Sequence, residues 1–180
     1  MAVRRRLLWA AAMPALCALA SAVQAQYPTP EGMGLNYTLT AGAAFLVGPN
    51  INKGTVPTVG VSWYDTVTTD VVANAAVGLS GDWLQITRNN GKTVQMVPVM
   101  LNYKQYAISG GYRIFVNLGA GVLALTDTVP EMQLNSKVNF GWTGGFGVDV
   151  SNSLFVQARF IGGTNPGNSG LGALELGYRF

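Results

Sequence analysis

Along most of this chain, apolar side chains alternate with small or polar side chains at every second position. Residues 138–150 show the pattern most clearly, with Val138, Phe140, Trp142, Phe146, Val148 and Val150 opposed to Asn139, Gly141, Thr143, Gly145, Gly147 and Asp149. A period of two is typical of β-strands, whereas an amphipathic helix repeats every 3.6 residues. The pattern therefore predicts an all-β structure from residue 35 onward.

Eight such segments are separated by clusters of Gly, Asn, Pro, Ser and Asp, and they predict strands over residues 35–47, 55–64, 70–87, 92–103, 112–125, 138–150, 154–161 and 171–180. The fourth segment is apolar at both parities, so its facing stays open. Pro98 inside it predicts a bulge or a local break in the ladder, because proline has no backbone N–H to donate. The connections are predicted at 48–54, 88–91, 126–136 and 162–170 on one side and at 65–69, 104–111 and 151–153 on the other.

The composition favours a membrane barrel over a soluble sandwich. Charged residues make up only 11% of the chain, and the polar parity is dominated by Gly, Ala, Ser, Thr and Asn. Aromatic residues lie near the predicted strand ends, as in interfacial girdles. Because lipid cannot hydrogen-bond a free strand edge, the sheet must close on itself. We therefore expect a closed antiparallel eight-stranded transmembrane up-and-down β-barrel, with its apolar side outward and a lumen filled by small side chains.

The N-terminus reads as a cleaved export signal. Arg4, Arg5 and Arg6 precede an apolar run at 7–19, and small residues end at Ala25. The apolar run is shorter than the ~20 residues that a membrane-spanning helix needs, which disfavours an anchor. We expect a signal peptide at 1–25 with cleavage after Ala25, a flexible leader at 26–34 and the barrel at 35–180.

Removing the signal changes the charge balance. Three of the 11 basic residues lie in the signal and all eight acidic residues lie beyond it, so the mature chain is neutral. Its charge therefore gives no reason to expect nucleic acid as a partner. The single cysteine, Cys17, also lies in the signal, and Leu16 before it disfavours a lipid attachment site. The mature chain is expected to form no disulfide.

A few charged residues fall within the strands on the inward parity. They are Asp82, Arg113, Asp149, Arg159, Glu175 and Arg179. The predicted fifth to eighth strands are neighbours, so Arg113, Asp149, Arg159 and Glu175 could meet in the lumen. Charges buried there are expected to pair, because an isolated buried charge is costly. We expect a structural ion-pair network that fills and stiffens the barrel; the alternative is a gate or a solute path.

Several stretches resemble the family of small outer-membrane β-barrel domains, of the OmpA and OmpW kind. Residues 97–103 (VPVMLNY) resemble its fourth strand, 119–122 resemble its GAGV strand, and 144–150 with 154–160 resemble its glycine-rich sixth and charged seventh strands. The ending Tyr178-Arg179-Phe180 is similar to the C-terminal signature that the barrel-assembly machinery reads, carried by Tyr178 and Phe180. The resemblance implies a bacterial outer-membrane location. It also implies outer-membrane lipid, the assembly machinery and periplasmic chaperones as partners, and leaves the oligomeric state open.

The residues suggest no catalytic machinery. Barrel lipid hydrolases and proteases of the resembled families rely on histidine as a base, and this chain has none. No residues have metal-ligand spacing and no glycine run opens a helix, so neither a metal nor a cofactor is expected. We therefore expect a non-enzymatic structural or envelope-maintenance role. The alternatives are a narrow porin-like, OmpW-like pore for small or apolar solutes and a loop-mediated adhesin, which the short loops disfavour.

Overall fold

The computed structural model describes residues 36–47, 55–67, 75–88, 90–109, 112–151, 153–163 and 170–180. These ranges form strands β1 (Asn36–Val47), β2 (Thr55–Val67), β3 (Ala75–Thr87), β4 (Thr93–Ser109), β5 (Tyr112–Leu125), β6 (Val138–Asp149), β7 (Leu154–Gly163) and β8 (Gly170–Arg179), with one 3-10 turn at Pro130–Met132. The predicted signal at 1–25, its cleavage site after Ala25 and the leader at 26–34 lie outside the described residues.

Each strand pairs antiparallel with the next, and β8 returns to pair with β1, which closes the barrel. Thr38 in β1 lies opposite Ser62 of β2 on one side and opposite Arg179 of β8 on the other. The predicted all-β fold of eight antiparallel strands is thereby confirmed. Within the described ranges, no helix is long and apolar enough to cross a membrane.

The apolar parity faces outward. Phe140 and Phe146 expose 57% and 68% of their surface, while Gly141 and Gly147, the next residues along the chain, are buried. The same outward set continues around the wall with Leu39, Val61, Leu79, Leu101, Val122, Leu174, Leu176 and Tyr178. Such an apolar exterior on a sheet without free edges suits the hydrocarbon of a bilayer.

The barrel has two distinguishable ends. The terminus end holds the start of β1 and Phe180, and the loop end holds residues 126–137 between β5 and β6. In outer-membrane barrels the periplasmic connections are short and the longer ones are extracellular. These lengths predict that the loop end is the extracellular end.

Two predicted turn positions are wrong. β4 continues to Ser109, so the turn predicted at 104–111 is strand as far as that residue. β2 likewise continues to Val67, beyond its predicted end at 64. The strand alternation simply persists through these positions: Met100, Asn102, Lys104 and Tyr106 are all buried on the lumen side of β4. Residues 70–74 of the predicted third strand lie outside the described ranges.

Pro98 breaks the ladder between β3 and β4 without a bulge. The pairs Gly81–Val99 and Leu84–Met96 flank the break, and each strand contributes two residues between them. The register is therefore kept while the pairing is lost, as expected at a residue that has no N–H. On its other side Pro98 pairs with Leu123 of β5.

The expectation of a lumen filled by small side chains is wrong at the loop end. Large apolar side chains form a buried cluster there, including Leu46, Leu84, Ile86, Val94, Met96, Leu123, Ile161 and Leu171. The β5–β6 loop folds inward and adds Val129, Met132 and Leu134 to this cluster. Val129 and Leu134 hold the loop closed through two reciprocal backbone hydrogen bonds. The glycines on the inward parity make room for these bulky neighbours: a Cβ on Gly141 would lie 2.5 Å from Leu123 Cγ.

Candidate functional site

The first group of lumen charges centres on Arg159 of β7. Its guanidinium donates to both carboxylate oxygens of Asp82 on β3, at 2.9 and 2.6 Å, and to Oε1 of Glu175 on β8 at 2.7 Å. Glu175 also accepts hydrogen bonds from Thr58 at 3.2 Å and Gln157 at 2.7 Å. One arginine thus neutralises much of the charge of two carboxylates from two different strands.

The second group centres on Asp149 of β6, toward the terminus end. Arg113 of β5 donates through Nε to Oδ2, and Arg179 of β8 donates to Oδ1 at 3.0 Å. The six charged residues picked out on the sequence are therefore all on the lumen side, but they divide into two groups. Arg113 and Asp149 do not share a contact with Arg159 and Glu175.

Lys104 of β4 is a lumen charge that the sequence reasoning missed. Its side chain is buried, and its ammonium lies 3.9 Å from the ring centroid of Tyr64, 4.9 Å from Phe115 and 5.1 Å from Phe155. The alternation of Asn102, Lys104 and Tyr106 indicated that Lys104 faces the lumen, but residue 104 was predicted to begin a turn.

The terminal pair also lies where the sequence placed it, on the outer wall. Tyr178 and Phe180 both face outward, and their ring centroids are 5.0 Å apart in an edge-to-face arrangement. The Phe180 N–H donates to the Tyr37 carbonyl of β1, which ties the end of the chain to the closing strand. Their role as an assembly signature stays a prediction.

The outer wall at the loop end carries a distinct aromatic surface, formed by Trp142, Phe160 and Phe45 on β6, β7 and β1. Each ring lies over a glycine of an adjacent strand. A Cβ on Gly162 would lie 2.7 Å from the Trp142 ring, and a Cβ on Gly172 would lie 2.5 Å from the Phe45 ring. A Cβ on Gly170 would lie 2.5 Å from Phe160 Cε1. The Trp142 and Phe160 rings stack with centroids 5.3 Å apart. The indole N–H of Trp142 donates to the Gly163 carbonyl at 3.0 Å, which fixes the ring against the strand end.

The chemistry available at the loop end is limited by the composition. The whole chain has no histidine, and within the described ranges no cluster of three acidic, histidine or cysteine side chains is arranged to hold a metal. Asp127 and Thr126 follow β5 at this end. The Asp127 carboxylate accepts a hydrogen bond from the Thr128 N–H at 2.8 Å, and Arg88 donates to the Thr128 carbonyl at 3.4 Å.

Residues 57–180 match the family model described as "Lipid A 3-O-deacylase (PagL)". The chain belongs to this family. The match begins inside β2 and runs to the last residue, so it includes Trp142 and Phe160 of the aromatic surface and both groups of lumen charges, but not Phe45 on β1. A search of curated proteins found no match.

Two solved structures share the fold of this PagL-family chain. The outer-membrane enzyme PagL aligns with a TM-score of 0.60 at 20% identity, covering 81% of this chain and 98% of that one. Neisserial surface protein A aligns with a TM-score of 0.57 at 9% identity, covering 81% and 96%. The chain is thus an eight-stranded barrel of the bacterial outer membrane, while the finer OmpA or OmpW likeness stays a prediction.

The family match corrects the functional expectation. A structural role without catalysis was expected because the chain has no histidine, and this is wrong for a member of a family described as lipid A 3-O-deacylase. The pore and adhesin alternatives have the same weakness, since neither accounts for the family match. The missing histidine remains a constraint on the chemistry, because it excludes one type of base and not every type.

Proposed function

We propose that this chain acts on lipid A in the outer leaflet and removes an ester-linked acyl chain from it. The observation that carries the proposal is the match of residues 57–180 to the lipid A 3-O-deacylase family model. Lipid A is a component of the outer membrane itself, so the substrate would reach the barrel by lateral diffusion.

The filled lumen supports a site on the outer wall. Apolar side chains and the inserted β5–β6 loop occupy the loop end of the barrel, which leaves an amphiphile with several acyl chains to bind outside. The aromatic surface of Trp142, Phe160 and Phe45 lies on that wall at the extracellular level. Flat rings over glycines give acyl chains a broad apolar contact.

Ester hydrolysis needs a nucleophile and a base that takes its proton. Since histidine is absent, a carboxylate is the candidate base. At the loop end the Asp127 carboxylate is half-buried and accepts a hydrogen bond from the Thr128 N–H through one of its oxygens. We assign Asp127 as the base that activates a water molecule.

The test is mass spectrometry of lipid A after incubation with the purified, folded barrel in detergent micelles. We expect lipid A to lose the mass of one acyl chain, with release of an equimolar fatty acid. D127N should lower the initial rate by about 10²-fold or more, the usual contribution of a general base. D65N is the matched control, because Asp65 is exposed at the terminus end of β2, and it should keep the full rate.

Two results would count against parts of this proposal. Lipid A that stays intact with a barrel shown to be folded by its heat-dependent gel mobility would overturn the hydrolytic function. Full activity in D127N would leave the function standing and remove Asp127 as the base.

We also propose that export depends on the signal at 1–25 and that the assembly machinery, aided by periplasmic chaperones, reads Tyr178 and Phe180. N-terminal sequencing of the outer-membrane form should then begin at Gln26. Replacement of Phe180 by Ser should reduce the amount of folded barrel in the membrane, and an unchanged amount would contradict the assigned signature.

A further inference from the structure

The two groups of lumen charges have opposite balances. In one group, the guanidinium of Arg159 is bound to two carboxylates. In the other, Arg113 and Arg179 share the single carboxylate of Asp149. Because a guanidinium is not deprotonated in proteins, the Asp149 group carries an excess of one positive charge.

An aromatic ring connects a third cation to the Asp149 group. The ring centroid of Phe155 lies 5.2 Å from the guanidinium carbon of Arg179 and 5.1 Å from the ammonium of Lys104. The face of a ring attracts a cation but does not cancel its charge. Among the lumen-facing side chains that the structure describes toward the terminus end, three cations therefore accompany one carboxylate.

The negative balance of the Arg159 group lies farther inside the barrel. Its carboxylate residue Glu175 precedes Arg179 by four residues on β8, which is about 13 Å along a strand. For a solute at the terminus end, the two arginines of the Asp149 group are therefore the nearer charges, and the potential there attracts anions.

Arg113 is the exposed member of the Asp149 group. Its side chain is 22% exposed, against 9% for that of Arg179. Its Nε–H donates to Asp149, and its guanidinium carbon lies 5.4 Å from the ring centroid of Tyr106. Neither of its Nη groups donates to a residue within the described ranges. A guanidinium held in this way presents a planar fork, which matches two oxygens of an oxyanion.

We propose that Arg113 binds a small phosphate-class oxyanion at the terminus end of the lumen, through both of its Nη groups. Asp149 and the Tyr106 ring hold the guanidinium in place, and Arg179 adds attraction from nearby. Since the terminus end is predicted to face the periplasm, the phosphate group would come from a soluble periplasmic compound or from an inner-leaflet lipid at the mouth of the barrel. The site does not depend on the proposed hydrolysis of lipid A, which is assigned to the opposite end.

Inorganic phosphate is the probe, with the full barrel folded in a maltoside detergent that contains no phosphate. The apparent melting temperature should rise with the logarithm of phosphate concentration, since a ligand that binds only the folded state stabilises it. Chloride keeps the ionic strength constant. Selenate is an oxyanion of similar shape that scatters anomalously, and in crystals of the same preparation it should give a peak beside the Nη groups of Arg113.

Three variants separate the fork from simple charge. R113M should abolish the phosphate dependence, while Asp149 keeps Arg179 as its partner. R113K keeps the charge without the fork and should weaken phosphate binding by about tenfold or more, the loss expected for one hydrogen bond between charged groups. K92M is the matched control, because Lys92 is an exposed lysine at the loop end, and it should behave as the wild type.

A wild-type melting temperature that does not depend on phosphate overturns the proposal, and so does an equal dependence in R113M and the wild type. Selenate peaks that all lie away from Arg113 also overturn it, even if R113M fails to fold. Lipid discs of phosphatidylethanolamine then distinguish the two sources. A phosphate dependence that persists in the discs identifies a soluble ligand, and one that disappears there identifies the lipid phosphate group.

Discussion

Arg159 and Asp82 join opposite walls of the barrel through two hydrogen bonds, at 2.6 and 2.9 Å. Arg159 lies on β7 and Asp82 on β3, four strands apart in a ring of eight. Both residues are buried, and Glu175 on β8 binds the same guanidinium. The arginine is therefore the shared counter-charge of two carboxylates that would otherwise repel each other in a low-dielectric lumen.

Removing the shared arginine should destabilise the barrel more than removing either carboxylate. R159M leaves Asp82 and Glu175 buried without their partner, and breaking a buried pair in this way costs ~3–5 kcal/mol. D82N should cost less, because Glu175 still pairs with Arg159. The measurement is the free energy of unfolding in urea, with the barrel in lipid vesicles.

K92M provides the baseline for this series, since substitutions at exposed positions usually stay within about 0.5 kcal/mol of the wild type. If R159M unfolds at the same urea concentration as K92M, the buried pairs contribute nothing net and the stiffening role is wrong.

Any side chain at Gly177 should destabilise the barrel. It lies opposite Phe155 on the lumen side, and a Cβ there would overlap the Phe155 ring. We expect G177A to lose about 1–3 kcal/mol of stability, as is usual for overpacking. The double variant G177A/F155L should recover part of the loss, which a double-mutant cycle in urea measures.

Gly81 is the matched control, because a Cβ there would meet nothing within 4 Å. G81A should be neutral or stabilise the barrel slightly by restricting the unfolded chain. Equal losses in G81A and G177A would show that glycine is needed for the backbone and not for the Phe155 ring.

The strand order and the facing of most strands could be predicted because the pleat imposes a period of two on the sequence itself. The ion-pair partners could not be predicted, because the pairing of Asp82 with Arg159 depends on side chains that meet across the lumen. Lys104 was missed for a different reason: a lysine between Tyr103 and Gln105 suggests a solvated turn, and only the aromatic neighbours on β2, β5 and β7 make its burial tolerable. The inserted loop follows no strand alternation, so Leu134 gave no local signal of burial.

The expectation of a role without catalysis failed because it took the absence of histidine to mean the absence of catalysis. The lack of histidine is a true property of the chain, but it constrains only the identity of the base. Residues on the outer wall such as Trp142 and Phe160 read locally as lipid-facing aromatics, and nothing in a strand period separates a lipid contact from a substrate contact.

The inserted β5–β6 loop should stabilise the barrel in the same way as buried core residues do. Leu134 is fully buried at the loop end. It packs so closely against β7 that a Cβ on Gly163 would lie 2.6 Å from Leu134 Cδ2. L134A should cost about 2–5 kcal/mol, the range for a buried leucine. N135A is the control, because Asn135 is exposed, and it should be close to neutral. A loss below about 1 kcal/mol in L134A would mean that the site collapses or that the loop leaves the barrel at little cost.

The facing of β6 can be tested directly with spin labels. Because Cys17 is the single cysteine and lies in the predicted signal, cysteines introduced at Phe140, Phe146 and Thr143 would be labelled without interference in the mature chain. Phe140 and Phe146 face outward and Thr143 is 2% exposed on the lumen side. In lipid vesicles we expect high accessibility to lipid-dissolved oxygen at 140 and 146 and low accessibility at 143. The reverse order, or equal values at all three positions, would contradict a wall whose apolar side contacts hydrocarbon, and with it the lateral approach of lipid A to Trp142 on the same strand.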